Sequence, residues 1–66
     1  MTTKEIIECI ESNGGIDMSM IRQAHIDDIR NRRITPVSLD KYFIDYIRNN
    51  YNCSHYVANK VMLYYL

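Results

Sequence analysis

Two clusters of side chains carry the types and spacing that chemistry requires. Arg30, Arg32 and Arg33 put three guanidinium groups within one turn of chain, and such groups bind phosphate oxygens with a salt-dependent affinity. His55, Tyr56, Asn59 and Lys60 recur at helical spacing, with Asn59 suited to adenine edges and Lys60 to guanine or phosphate. Both clusters point to binding. Catalysis lacks its parts: no nucleophile-and-base pair is assigned, no glycine-rich phosphate loop occurs, and Asp27 and Asp28 face different sides of a helix. The chain is therefore read as a non-enzyme with no cofactor. Cys9, His25, Cys53 and His55 offer sulfur and imidazole, but the paired spacings of a structural zinc site are missing, so no metal ligands are assigned.

Composition narrows the class further. An apolar fraction of 47%, with 24% charged residues, one proline and two glycines, describes a chain that folds rather than a linker. At 66 residues it buries only about 60% of the surface its unfolded form exposes, so a partner or a second copy is expected to supplement a marginal core. No run approaches the roughly 20 apolar residues of a membrane span, and Met1-Thr2-Thr3-Lys4-Glu5 does not read as a signal peptide. A cytoplasmic protein without membrane contact, its Cys9 and Cys53 reduced, is the expectation. Abundant Ile, Tyr and Asn suit an AT-rich genome of phage or plasmid type.

Net charge is zero, yet it divides along the chain. Lys4 and Arg22 oppose Glu5, Glu8, Glu11, Asp17, Asp27 and Asp28 in residues 1–29, a net −4. Arg30, Arg32, Arg33, Lys41, Arg48 and Lys60 oppose only Asp40 and Asp45 in residues 30–66, a net +4. Such a division orients a molecule towards a charged partner if it survives folding.

The elements that position these residues are helical. Ile7-Glu8-Cys9-Ile10-Glu11-Ser12-Asn13 is echoed by Ile44-Asp45-Tyr46-Ile47-Arg48-Asn49-Asn50, and each copy leads into a turn and a new cap. Thr2 and Glu5 form a capping box opening a helix over about 3–13, with Ile6, Ile7 and Ile10 as its stripe and Gly14-Gly15 as its stop. A second helix, capped by Asp17, is predicted to reach about Arg32. It has Met18, Ile21, Ala24, His25 and Ile29 on one face, and Arg30, Arg32 and Arg33 in its last turn, complementing the helix dipole. A hydrogen-bonded core role is expected for His25. Pro36 breaks the chain at 34–37. A third helix follows to about Asn50, with Pro36 in its first turn or Ser38 as its cap. Leu39, Tyr42, Phe43, Tyr46 and Ile47 form its predicted buried face. A fourth, capped by Ser54, carries Val57, Ala58, Val61, Met62 and Tyr65 inward. The predicted fold is all-α: one domain, residues 1–66, a compact bundle of four short helices as two helix-turn-helix hairpins, 1–33 and 38–66.

Over residues 44–63 the second hairpin resembles the helix-turn-helix of small transcription regulators. Ile47, Tyr51, Cys53, Ala58 and Val61 take the inward places and Asn52 takes the turn, as a residue that tolerates positive φ. The resemblance implies a DNA-binding regulator in which His55, Tyr56, Asn59 and Lys60 face the groove. Arg48 stands where a small residue usually lets the helices cross, and Asn52 replaces the usual glycine. The first hairpin offers a competing version, with Gly15 in the turn and Ser19, Arg22, Gln23 and Arg30 outward. Against both stands surplus apolar surface. Tyr56, Leu63, Tyr64 and Leu66 lie on or beside the face of the last helix opposite its core stripe, with Met20 and Ile44 similarly opposed on their own helices. Tyrosine is enriched at protein interfaces. The alternative reading is therefore a protein that inhibits or adapts a host or partner protein through a tyrosine-rich helical face, with Tyr56, Leu63, Tyr64 and Leu66 also serving a homodimer.

Overall fold

The computed structural model describes residues 1–66, and the chain folds as the expected all-α bundle: α1 Thr3–Ser12, α2 Met18–Arg30, α3 Leu39–Asn50 and α4 His55–Tyr65. Each helix begins where a side chain satisfies an orphaned backbone donor. Thr2 Oγ1 accepts from the Glu5 amide at 3.2 Å while Glu5 Oε1 accepts from the Thr2 amide at 2.9 Å, completing the capping box. Asp17, Ser38 and Ser54 accept from the amides of Ser19, Lys41 and Val57 at the starts of α2, α3 and α4. Ser38 rather than Pro36 thus opens α3.

The first two helices end in the same paired hydrogen-bond pattern, the Schellman motif. Gly15 N donates to Ile10 O at 2.9 Å and Gly14 N to Glu11 O at 3.2 Å; Arg33 N donates to Asp28 O at 2.8 Å and Arg32 N to Ile29 O at 3.1 Å. Helix α2 therefore stops at Arg30. Of the three arginines only Arg30 lies in the last turn, a correction to the helix predicted to reach Arg32. The chain reverses at Arg32, whose φ is +57°.

Eight residues form the buried cluster: Ile6 and Ile10 from α1, Phe43, Ile44 and Ile47 from α3, and Ala58, Val61 and Met62 from α4. Helices α3 and α4 make the most extensive pairing, α1 packs on α4, and α2 packs on α3. The predicted stripes of α1 and α4 hold. The α2 face is the predicted one, but Met18, Ile21, Ala24, His25 and Ile29 are only half-buried and α2 contributes no fully buried residue.

The buried face of α3 is rotated from expectation. Ile44 is buried and Tyr46 is 38% exposed, while Leu39 and Tyr42 are half-buried. Burying tyrosines 42 and 46 would oblige two hydroxyls to find partners inside, whereas Ile44 has no polar atom to desolvate. Phe43, Ile44 and Ile47 turn towards α1 and α4 instead, and Tyr42 turns its hydroxyl to Asp28 of α2 at 2.6 Å.

Candidate functional site

Helix α4 presents two faces of opposite use. Ala58, Val61 and Met62 enter the core, and Tyr65 lies against Phe43, with ring centroids 6.3 Å apart, while its hydroxyl donates to Glu11 Oε1 at 2.9 Å. Burial and that hydrogen bond push the Tyr65 hydroxyl well above the usual phenol range. On the other side Tyr56, Lys60 and Leu63 follow one another at spacings of four and three, which align along a helix, and Tyr64 lies four residues beyond Lys60. Tyr56 is 67% exposed, Leu63 63%, Tyr64 61% and Leu66 51%. Lys60 Nζ sits 4.7 Å from the centre of the Tyr56 ring, a cation–π contact that holds both side chains along the helix surface. Tyr64 meets Tyr65 edge to face at 5.0 Å. Lys60 is the one lysine or arginine in α4, which has no acidic residue.

His55, Tyr56 and Lys60 of the proposed groove-facing set are therefore exposed together, whereas Asn59 is half-buried. The turn before them departs from the resemblance. Tyr51 is extended at φ −136° and ψ 141°, and Asn52 does not take positive φ. Extended backbone closes this connection, so the conformational reason for an asparagine there falls away.

The arginine cluster is divided. Arg30 is exposed at the end of α2, whereas Arg33 is bound, its Nε donating to Asp28 Oδ1 at 2.8 Å. Asp28 Oδ2 accepts from the Tyr42 hydroxyl, and the Tyr42 ring packs on His25 at 5.1 Å. His25 Nε2 lies 2.7 Å from Val37 O, and because a carbonyl only accepts, that nitrogen carries the proton. Asp28, Arg33, Tyr42 and His25 thus form a polar strut fastening α2 to α3 and the 34–37 segment. The Tyr42 hydroxyl and then Arg33 hold the Asp28 carboxyl below the usual carboxylate range. The same Asp28 bond, with burial, pushes Tyr42 up to about 12. Sequence reasoning missed this strut: its members straddle Pro36, and no local pattern links Asp28 to Tyr42.

The strut borders a groove of about 520 Å³ lined in part by Asp28, Val37, Lys41, Tyr42 and Asp45. Lys41 and Asp45 pair across 2.7 Å, so the groove's charged groups satisfy one another. Cys9 and Cys53 are both free and half-buried. The other exposed large apolar side chains include Met20 and Ile26 of α2, at 69% and 46%, while Ile44, expected on that list, belongs to the core. No helix is long and apolar enough to cross a membrane. No family model matches the chain, and neither a curated protein nor a solved structure does.

Proposed function

We propose that this chain is a small non-enzymatic binding protein that docks on a partner protein through the outer face of α4, inhibiting or adapting that partner. The observation that carries this reading is the concentration of four large apolar side chains, Tyr56, Leu63 and Tyr64 on α4 and Leu66 capping its end, each more than half exposed. Lys60 defines the partner's chemistry. It lies midway along the stripe and is the helix's one cationic side chain. Pairing α4 with a second α4 centred on that stripe brings two Lys60 ammonium groups together amid apolar surface, an unfavourable arrangement. An apolar groove with a carboxylate opposite Lys60 satisfies the same face.

Sedimentation of the purified protein tests the self-association alternative, with a monomer expected at micromolar concentration. Affinity capture from the source cell with wild type, L63D and K60E tests the partner. A protein retained by wild type and lost from both variants supports the reading. A stable dimer dissociated by L63D, or capture indifferent to both substitutions, overturns it. Exposure of His55, Tyr56 and Lys60 at the start of α4 favours a second reading, the helix-turn-helix DNA-binding regulator. Its signature is duplex binding that weakens steeply with salt and is lost in H55A/K60A. Absence of binding at low salt eliminates it.

A further inference from the structure

Helix α2 is held to the molecule differently from the other three. The eight buried residues come from α1, α3 and α4 alone, and those helices pack on one another, α3 and α1 against α4, without it. No backbone hydrogen bond joins α2 to another helix. Met18 and Ile21, with Ile16 just before them, rest on the edge of the core. Beyond that apolar contact, two hydrogen bonds fasten the helix: the Tyr42 hydroxyl donates to Asp28 Oδ2 at 2.6 Å, and His25 Nε2 donates to Val37 O at 2.7 Å. Both lie in its C-terminal half. The other polar contacts of α2, Gln23 with Asp27 and Arg33 with Asp28, stay within the helix and the turn that follows it.

The chain is also free to swing at both ends of α2. Gly14 and Gly15 precede it, with φ of +98° and +82° and no side chain to restrict the turn, and residues 31–38 after it form no helix. Lifting α2 from its place costs the two hydrogen bonds, the packing of the His25 ring on Tyr42 at 5.1 Å and some half-buried apolar surface. Every fully buried side chain meanwhile keeps its neighbours from α1, α3 and α4. An element held in this way opens at lower free energy than the core it rests on. We propose that α2 is a latched arm, which leaves α3 as one unit while α1, α3 and α4 stay folded, with the Asp28–Tyr42 hydrogen bond as the latch. The open form uncovers Tyr42 of α3 together with Met18, Ile21 and Ile29 of α2, all half-buried in the closed form. The outer face of α4 takes no part in the motion, so the arm and the docking face stand or fall separately.

Native-state hydrogen exchange of the whole chain, followed by NMR at neutral pH, tests the arm with two substitutions whose effects separate by linkage. In the wild type the amides of Arg22 to Arg30 are expected to share one opening constant, larger than that of the core amides of Ile47 and Met62. Tyr42→Phe removes the latch, which is present only in the closed form. It should therefore speed α2 and core amides by the same factor, about tenfold for a hydrogen bond to a carboxylate. Ile6→Val trims a side chain that is fully buried between α1 and its neighbours in the closed and open forms alike. It should speed the core amides about fivefold and leave those of α2 unchanged. Equal protection of α2 and core amides in the wild type, or equal acceleration of both by Ile6→Val, means that α2 unfolds only with the whole molecule and overturns the arm. Exchange of α2 that is indifferent to Tyr42→Phe overturns the latch.

Discussion

Replacing Arg32 by glycine and Gly14 by alanine perturbs the same backbone position of the same motif in opposite directions, so the pair tests the conformational argument without relying on any side-chain contact. In R32G the left-handed penalty of an L-residue, about 1–2 kcal/mol, is relieved. Glycine's larger unfolded ensemble takes back about 0.4–1 kcal/mol, and losing a cation near the negative end of α2 takes back a further ~0.3 kcal/mol at an exposed site. The expected net gain is about 0.5 kcal/mol, equivalent to roughly 2–4 °C in Tm for a domain of this size. In G14A the signs reverse. A Cβ at Gly14 meets nothing within 4 Å, so its cost is conformational alone, and φ there is +98°. A loss of about 0.5–1 kcal/mol follows from the same terms. Urea unfolding at neutral pH measures both, with equal m values required for the comparison. The midpoints should separate in opposite directions from wild type, and the double variant should fall close to the sum because the two turns share no partner. An R32G protein less stable than wild type at equal m refutes the reasoning, since the arginine would then contribute more to the fold than its backbone costs.

Asp28→Asn should flatten the acid limb of stability. The folded-state carboxyl titrates below its unfolded value, so the unfolded chain binds more protons between the two; the contribution is complete above about pH 4 and is lost as pH falls through the folded value. An unchanged acid limb in urea midpoints would remove Asp28 from the strut. Tyr42 behaves in the opposite sense: raised from 10.0 to about 12, its contribution is complete below about pH 10 and declines as pH rises to about 12. Tyr42→Phe should abolish that alkaline decline. Ile44→Ala should cost about 2–5 kcal/mol, as for a buried aliphatic, and exceed the cost of Tyr46→Ala; the reverse order in denaturant unfolding would contradict the rotated face of α3.

Much of the fold was legible because its signals are short-range. Thr2 with Glu5, Asp17, Ser38 and Ser54 satisfy donors two or three residues away, and Gly14-Gly15 ends α1 by backbone conformation alone. The stripes of α1 and α4 were equally plain, since Ile6 with Ile10, and Ala58 with Val61 and Met62, leave one clear side for the core. Helix α3 was ambiguous: Leu39, Tyr42, Phe43, Ile44, Tyr46 and Ile47 encircle most of it. The candidate surfaces divided in the same way. Tyr56, Leu63, Tyr64 and Leu66 could be placed outside from helical spacing, because a stripe opposite a core stripe has nowhere else to go. The arginines could not be sorted, because their fates depend on where α2 reverses.

The sequence by itself therefore determined where helices start, where most of them stop and which sides of α1 and α4 are apolar, since each follows from hydrogen bonds and periodicity within a few residues. Tertiary structure alone decided that α2 packs on α3 while α1 packs on α4, that Ile44 rather than Tyr46 enters the core, and that Asp28 holds Arg33 and Tyr42 while Arg32 is left strained and unpaired. Those choices rest on which apolar faces bury the most surface together and which hydroxyls and charges find partners when they do. That comparison is made across the whole chain at once, and no local window contains its terms.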